Sequence, residues 1–284
     1  YKDGKKEGVH KNWYSNGSLM SKEEIINGAN ANISKKWNEQ YQLIYKRNWT
    51  KNFDQTWYDN GQLKTEGYSK PIKYDSTKSW NPPSDALLVY GICREWYENG
   101  QLKFEKNYNE NGKTQGTHRE WSENGTIILD CNYKNGELNG DYRESFPNGI
   151  DKKIAFYLDG KLNGNYISYF ENGNKRDSGK YIANLQYDLW KYWYENGQLN
   201  AKGKFIGGNG KKIDSKGVPT EKRYGNWTFW TKEGKNEKYL QIYLSPDSLY
   251  EYSFAEIEEA AIENKITFEE FVSSRGFKLI YPRW

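Results

Sequence analysis

Ser122-Glu123-Asn124-Gly125, Phe146-Pro147-Asn148-Gly149, Phe170-Glu171-Asn172-Gly173 and Tyr194-Glu195-Asn196-Gly197 follow one another at intervals of 24 residues, counted from Gly to Gly. A fixed period in the range of 20–50 residues is the mark of a repeat array and outranks any other reading of the fold. Working outward, the phrase returns as Trp13-Tyr14-Ser15-Asn16-Gly17-Ser18-Leu19, Trp57-Tyr58-Asp59-Asn60-Gly61-Gln62-Leu63 and Trp96-Tyr97-Glu98-Asn99-Gly100-Gln101-Leu102. Worn copies begin at Trp37 and Trp230. About nine units then cover residues 1–244.

Asn-Gly between alternating apolar and polar residues is a strong hairpin signal, and a type I′ turn needs φ > 0 at both central residues. The phrase is therefore expected to form a type I′ turn between two strands of about 6–8 residues. A second turn signal, as in Lys134-Asn135-Gly136 and Leu158-Asp159-Gly160, closes each unit. The expected fold is all-β: an elongated single-layer antiparallel array of β-hairpin repeats, with a small helical cap at the C-terminus. Nine two-stranded units at ~4.8 Å per strand predict a rod of ~85 Å.

Counting from the turn Gly sorts residues into columns. Trp13, Trp37, Trp57, Trp96, Trp121, Tyr169, Trp193 and Trp230 stand four before it; Lys11, Lys35, Arg94, Arg119, Arg143 and Lys191 stand six before it; Asp59, Glu98, Glu123, Glu171 and Glu195 stand two before it. Even offsets share one strand face, so that face is expected to carry a Trp ladder between a basic and an acidic column. Tyr108, Tyr133, Tyr157, Tyr181 and Phe205 form another ladder eight after the Gly.

The 284 residues are only 35 % apolar but 17 % aromatic, with 25 Tyr and 12 Trp. That balance suits a thin sheet covered by rings, each able to bury ~150–250 Å². Net charge is +4 from 42 basic and 38 acidic residues, interleaved along the chain rather than clustered as in a nucleic-acid binder. No apolar run is long enough to span a membrane as a helix. Two cysteines, Cys93 and Cys131, exclude a disulfide framework. The chain opens at Tyr1, inside a repeat and without Met, which points to a missing natural N-terminus. The localisation reading leans to a bacterial cell envelope, with the cytoplasm as the alternative.

The phrase from Trp96 to Leu102, followed by Tyr108 and Gly112, resembles the bacterial variant of the MORN repeat, found in proteins labelled as the YwqK-type antitoxin family. The resemblance covers residues 1–244. It implies a hairpin array with a binding role and offers no catalytic residues. Choline-binding cell-wall repeats are a looser resemblance, lacking the regular Asn-Gly turn.

Two insertions interrupt the period, at residues 69–86 and 207–223, both at the turn after the Tyr ladder. Insertions in an array map to loops on one side, often the binding side. Trp80 beside Pro82 and Pro83 offers an aromatic anchor on a stiffened loop. Lys211, Lys212, Lys216, Lys222 and Arg223, on a flexible Gly-rich backbone, suit the steering of an acidic partner. Replacing either loop by a short turn is expected to leave the melting temperature nearly unchanged. Beyond residue 244, Ser253-Phe254-Ala255-Glu256 reads as a capping box and Phe254, Ile257, Ala261 and Ile262 as a helical stripe; residues 245–284 are expected to be the helical cap and a final strand.

His10, His118, Cys93 and Asp54 share one column, but equivalent positions in successive hairpins lie ~9–10 Å apart, too far to share a zinc ion held at ~2.0–2.3 Å. Cys131 reads as a small buried residue. Gly207-Gly208-Asn209-Gly210-Lys211 lacks the full phosphate-loop spacing. No metal, cofactor or acid–base pair is implied. The reading is a non-enzymatic scaffold for protein partners, with a carbohydrate- or cell-wall-binding module using exposed aromatics as the alternative.

Overall fold

The computed structural model describes residues 1–72 and 86–237 and the backbone of 240–242. The described residues fall into two compact units divided between Glu137 and Leu138. Their regular structure is all antiparallel strand. The first unit is a meander of ten strands: β1 (Gly8–Trp13), β2 (Leu19–Ile26), β3 (Ala29–Trp37), β4 (Leu43–Asn48), β5 (Phe53–Trp57), β6 (Leu63–Pro71), β7 (Leu87–Trp96), β8 (Leu102–Tyr108), β9 (Thr114–Trp121) and β10 (Ile127–Lys134). The second is a meander of eight: β11 (Glu137–Ser145, its first residue at the division), β12 (Asp151–Leu158), β13 (Lys161–Tyr169), β14 (Lys175–Ile182), β15 (Leu185–Trp193), β16 (Leu199–Gly208), β17 (Arg223–Phe229) and β18 (Leu240–Ile242). Within each, every strand pairs with the next in sequence. The expected helical cap over 245–284 lies outside the described residues.

The two turn signals make different turns. The type I′ geometry belongs to the second signal: Asn27-Gly28, Asp159-Gly160 and Ala183-Asn184 hold φ of 54° and 81°, 46° and 74°, and 50° and 71°. These two-residue loops sit between the directly paired Ile26 and Ala29, Leu158 and Lys161, and Ile182 and Leu185. The Asn-Gly of the repeated phrase does not form a type I′ turn. Only its Gly is left-handed, as at Gly100 (φ 87°) and Gly149 (φ 86°). Three further residues separate the strands there, so the chain closes by a turn in which Gly100 N donates to Tyr97 O at 3.0 Å and Tyr97 N to Gln101 O at 2.9 Å.

Asn is placed in the phrase for its side chain. Asn99 Oδ1 accepts from Gln101 N at 2.9 Å, and its Nδ2 donates to Glu123 O in the next hairpin at 3.0 Å. Asn60, Asn148, Asn172 and Asn196 donate to the following hairpin in the same way. An amide offers both an acceptor and a donor, whereas an ionised Asp would only accept. Tyr97 Oη likewise donates to Trp121 O at 2.9 Å, and Tyr14, Tyr58 and Tyr194 repeat that contact. The left-handed Gly remains the strict requirement. Gly149→Val is expected to lose about 1–3 kcal/mol, read from the midpoint of urea unfolding; an unchanged midpoint would show the turn tolerates a β-branched residue at φ 86°.

In the second unit the inner face carries the core. Trp190, Tyr192, Phe205, Val218 and Trp227 cluster with Tyr166, Tyr181 and Phe229 packed against them. Each buried indole lies flat across a glycine: a Cβ on Gly179 would stand 2.2 Å from the Trp190 ring, and one on Gly203 2.1 Å from that of Trp227. The indole N–H groups then reach Lys180 O and Lys204 O, each at 3.2 Å. The insertion after β16 belongs to this core. Val218 is fully buried, Asn200 Nδ2 donates to Lys216 O at 3.1 Å, and Asp214 caps its own turn by accepting from Lys216 N and Val218 N. Its backbone is thus pinned rather than flexible, and its removal would open the core, contrary to the neutral excision expected from sequence.

Candidate functional site

In an antiparallel pair, residues directly opposite lie ~4.5–5.5 Å apart, and their side chains interact as a unit. Across the outer face of the first unit the register lines up one row, strand by strand. It runs Lys11, Lys22, Lys35, Lys46, Gln55, Glu66, Arg94, Glu105, Arg119, Asp130 from β1 to β10. From Glu66 onward the signs alternate and the charges pair: Arg94 reaches Glu66 at 3.1 Å and Glu105 at 2.7 Å, and Arg119 reaches Asp130 at 3.1 Å. The hydrogen bond to Glu105, above all, raises the Arg94 pKa further. The carboxylates come from the column five after the turn Gly. The expected acidic column, represented by Glu98, falls in the turn loops instead.

The first four places break that rule. Four ammonium groups stand on four adjacent strands with no carboxylate between them in the row. None forms an ion pair or side-chain hydrogen bond with another described residue. Further along each strand the face turns mixed, apolar and polar, on one side and apolar on the other. On one flank Val9 opposes Glu24 and Ile33 opposes Asn48; on the other Trp13 opposes Leu19 and Trp37 opposes Leu43. Glu24 is engaged by Asn32 Nδ2 at 2.8 Å. Val9 and Trp13 are more than half exposed and Ile33 is exposed as well. Val9, Leu19, Ile33 and Trp37, with Lys11, Lys22 and Lys35 and the carboxylates of Glu23 and Glu24, line a groove of about 610 Å³.

Behind this face lies a buried polar knot. Arg47 Nη1 reaches Asp54 Oδ2 at 2.5 Å and Ser69 Oγ at 2.7 Å, and Nη2 reaches Ser69 O at 3.0 Å. Tyr45 Oη donates to Asp54 Oδ1 at 2.8 Å. Burial first, and that hydrogen bond second, push the Tyr45 hydroxyl up to about 12. His118, from the column considered for metal binding, is buried against Glu120, Nε2 to Oε1 2.8 Å; burial and Lys106 lower its pKa. Cys131 is buried, and burial pushes its thiol up to about 11. No group of three or more His, Cys, Asp or Glu placed to hold a metal occurs among the described residues.

The residues singled out in the insertions separate. Trp80, Pro82 and Pro83 lie outside the described residues. Lys211 and Lys212 are exposed on the loop after β16. Lys216 turns inward: its Nζ reaches Tyr194 Oη at 3.3 Å and pairs with Glu237. Arg223 is buried, donating to Pro219 O at 2.7 Å and Asp214 Oδ2 at 2.6 Å with its guanidinium 4.7 Å from the Trp227 ring centre. Two of these four cations therefore hold the loop down.

Four stretches, residues 6–27, 90–113, 114–135 and 189–206, match the family model described as MORN repeat variant. The chain thus carries repeats of the MORN variant. No curated protein matches it. Among solved structures it is similar to the crystal structures of TcdB2-TccC3-TEV, TcdB2-TccC3-Cdc42 and TcdB2-TccC3, at 13, 12 and 12 % identity and TM-scores of 0.19, 0.19 and 0.17. The matches cover 80, 82 and 85 % of this chain but only 14, 14 and 16 % of those chains. Scores of that size give the likeness no structural weight.

Proposed function

We propose that the chain is a non-enzymatic repeat scaffold that binds a protein partner through the outer face of β1–β4, within a cell-envelope or toxin–immunity assembly. The observation that carries the binding role is the row Lys11, Lys22, Lys35, Lys46. Like charges directly opposite one another destabilise a sheet, and the same row six strands on is neutralised pair by pair. A surface that sacrifices stability in this way is typical of sites kept for function rather than folding. The MORN-variant repeats and the resemblance to the YwqK-type family support a scaffold role and the proposed setting.

The test is affinity capture from the native organism with the wild-type chain and with Lys22→Glu/Lys35→Glu in parallel. A protein retained by the first and lost by the second is the expected result. Equal retention by both moves the contact to another surface and overturns the assignment to this face. A saturable tryptophan-fluorescence change with a defined sugar, unaffected by the double substitution, would favour the carbohydrate-binding alternative.

A further inference from the structure

Taking the binding role of β1–β4 as its premise, we infer that the occupant of this face is an acidic amphipathic α-helix of the partner, laid across the strands along the lysine row. The first argument is pitch. The four lysines stand one per strand, ~4.8 Å apart, so the row spans ~14 Å at right angles to the strands. A helix presents one face with a rise of ~5.4 Å per turn. Over the three steps of the row the two spacings drift apart by ~2 Å, which the four-carbon stems of lysine absorb. An extended segment repeats on one face every ~6.6–6.8 Å. Over the same three steps it drifts by ~6 Å, more than one lysine spacing.

The second argument is width. The flanking residues lie two positions along the strand from each lysine, or three where a bulge intervenes as at Leu19 and Leu43, ~6.7 Å away. The face is therefore ~13 Å wide, basic at its centre, apolar along the margin of Trp13, Leu19, Trp37 and Leu43, and mixed along the margin of Val9, Glu24, Ile33 and Asn48. A helix ~10–12 Å across, with an acidic stripe bordered by apolar side chains, matches both the charge and the width. A nucleic-acid strand matches the charge alone. Trp13 and Trp37 stand on one margin only, and the other carries Val9, Ile33 and Glu24, so the face offers bases no continuous stacking surface of the kind single-strand binders use.

The probe is a synthetic 18-residue peptide carrying glutamates in one helical stripe with leucines on both borders. Its control has the same composition arranged as alternating Glu and Leu, with prolines placed to prevent a helix. The expected result is that the helical peptide binds the full chain at least tenfold more tightly than the control, gains helical circular dichroism on binding, and weakens steeply with added salt. Lys22→Glu/Lys35→Glu should abolish the binding. Those substitutions turn the Lys11–Lys22 and Lys35–Lys46 pairs into Lys–Glu pairs and the Lys22–Lys35 pair into a Glu–Glu pair, so one like-charge pair stands where the parent has three and the variant should melt no lower than the parent, which separates lost binding from lost folding. Equal or tighter binding of the extended control overturns the helix. So does binding only to anionic vesicles or to polyphosphate. If a native partner is captured through the row but the helical peptide fails, the helix is wrong and the scaffold reading stands; if both fail, the face is not the binding site.

Discussion

Trp227→Ala lowers the stability of the second unit by about 3–5 kcal/mol, the range for emptying a large aromatic from a core. Trp227 is fully buried. Its ring meets Phe205 edge-on at 5.0 Å and lies near-parallel to Phe229 and Tyr192 at 6.0 and 6.5 Å. It also fills the space that a Cβ on Gly203 would claim, so no neighbouring side chain on that strand position can relax into the void. The Arg223 guanidinium, which ties down the insertion through Asp214, Val218 and Pro219, rests on the same ring. The loss therefore has two readouts. Urea unfolding should shift to a lower midpoint, and trypsin should cut faster at Lys211 and Lys212. Gly203→Val should reproduce both effects from the opposite side, by evicting the ring. A Trp227→Ala chain with parental midpoint and parental cleavage would show that the insertion and the aromatic cluster are not one cooperative body.

The 24-residue period made the hairpins legible, because a repeated Gly and a repeated alternation are local signals. What the period hid is drift within a column. Seven before the turn Gly the chain places His10, Asp54, Cys93 and His118 in the first unit, then Tyr142, Tyr166, Trp190 and Trp227 in the second. The same inward position thus changes from polar to aromatic, and the true core sits there rather than at the Trp column four before the Gly. The lysine row escaped the sequence for a geometric reason. A hairpin that pairs Trp13 with Leu19 would, by simple reflection, set Lys11 opposite Ser21. The register instead slips by one residue at Asn12, leaving Met20 without a partner and bringing Lys22 opposite Lys11. This bulge puts two residues of one strand against one of the other. It recurs at the corresponding step in the hairpin Trp96–Leu102, where it sets Glu105 rather than Phe104 opposite Arg94. Only with the bulge known do the charge columns become neighbours. The loop cations misled in the opposite sense: Lys216 and Arg223 looked like a free basic tip, yet Lys216 pairs with Glu237 beyond the insertion and Arg223 turns back on Asp214 and two backbone carbonyls within it, a folding-back that residue types alone do not announce.

Arg47→Met is the second change expected to have a large effect, about 3–5 kcal/mol, because it strands a partly buried carboxylate whose counter-ion is gone. Arg47 is 1 % exposed and its guanidinium lies 4.3 Å from the Trp49 ring centre, so the apolar stem and the stacking surface favour a methionine of similar length. What methionine cannot replace is the charge opposite Asp54 or the donors to Ser69. Its Nε is buried without a partner, which marks the guanidinium as held for its two outer nitrogens. The double variant Arg47→Met/Asp54→Leu removes both charges and should regain most of the loss, since apolar replacements of a buried pair are often neutral or stabilising. A double-mutant cycle by urea unfolding measures the coupling; strictly additive losses would refute a shared network. Alkali offers an independent reading. The Tyr45 hydroxyl keeps its proton up to about 12 in the folded chain, against 10.0 ordinarily, first through burial and then through its bond to Asp54. The folded state therefore binds that proton more tightly than the unfolded state. The stabilisation is complete below pH 10, declines between 10 and about 12, and is gone above it. Tyr45→Phe should flatten this alkaline decline and leave the neutral region with only the loss of one hydrogen bond. A Tyr45→Phe chain whose stability falls between pH 10 and 12 as steeply as the parent's would place the alkaline-sensitive group elsewhere, the first alternatives being the half-buried Tyr181 and the buried Tyr192, whose hydroxyls burial also raises.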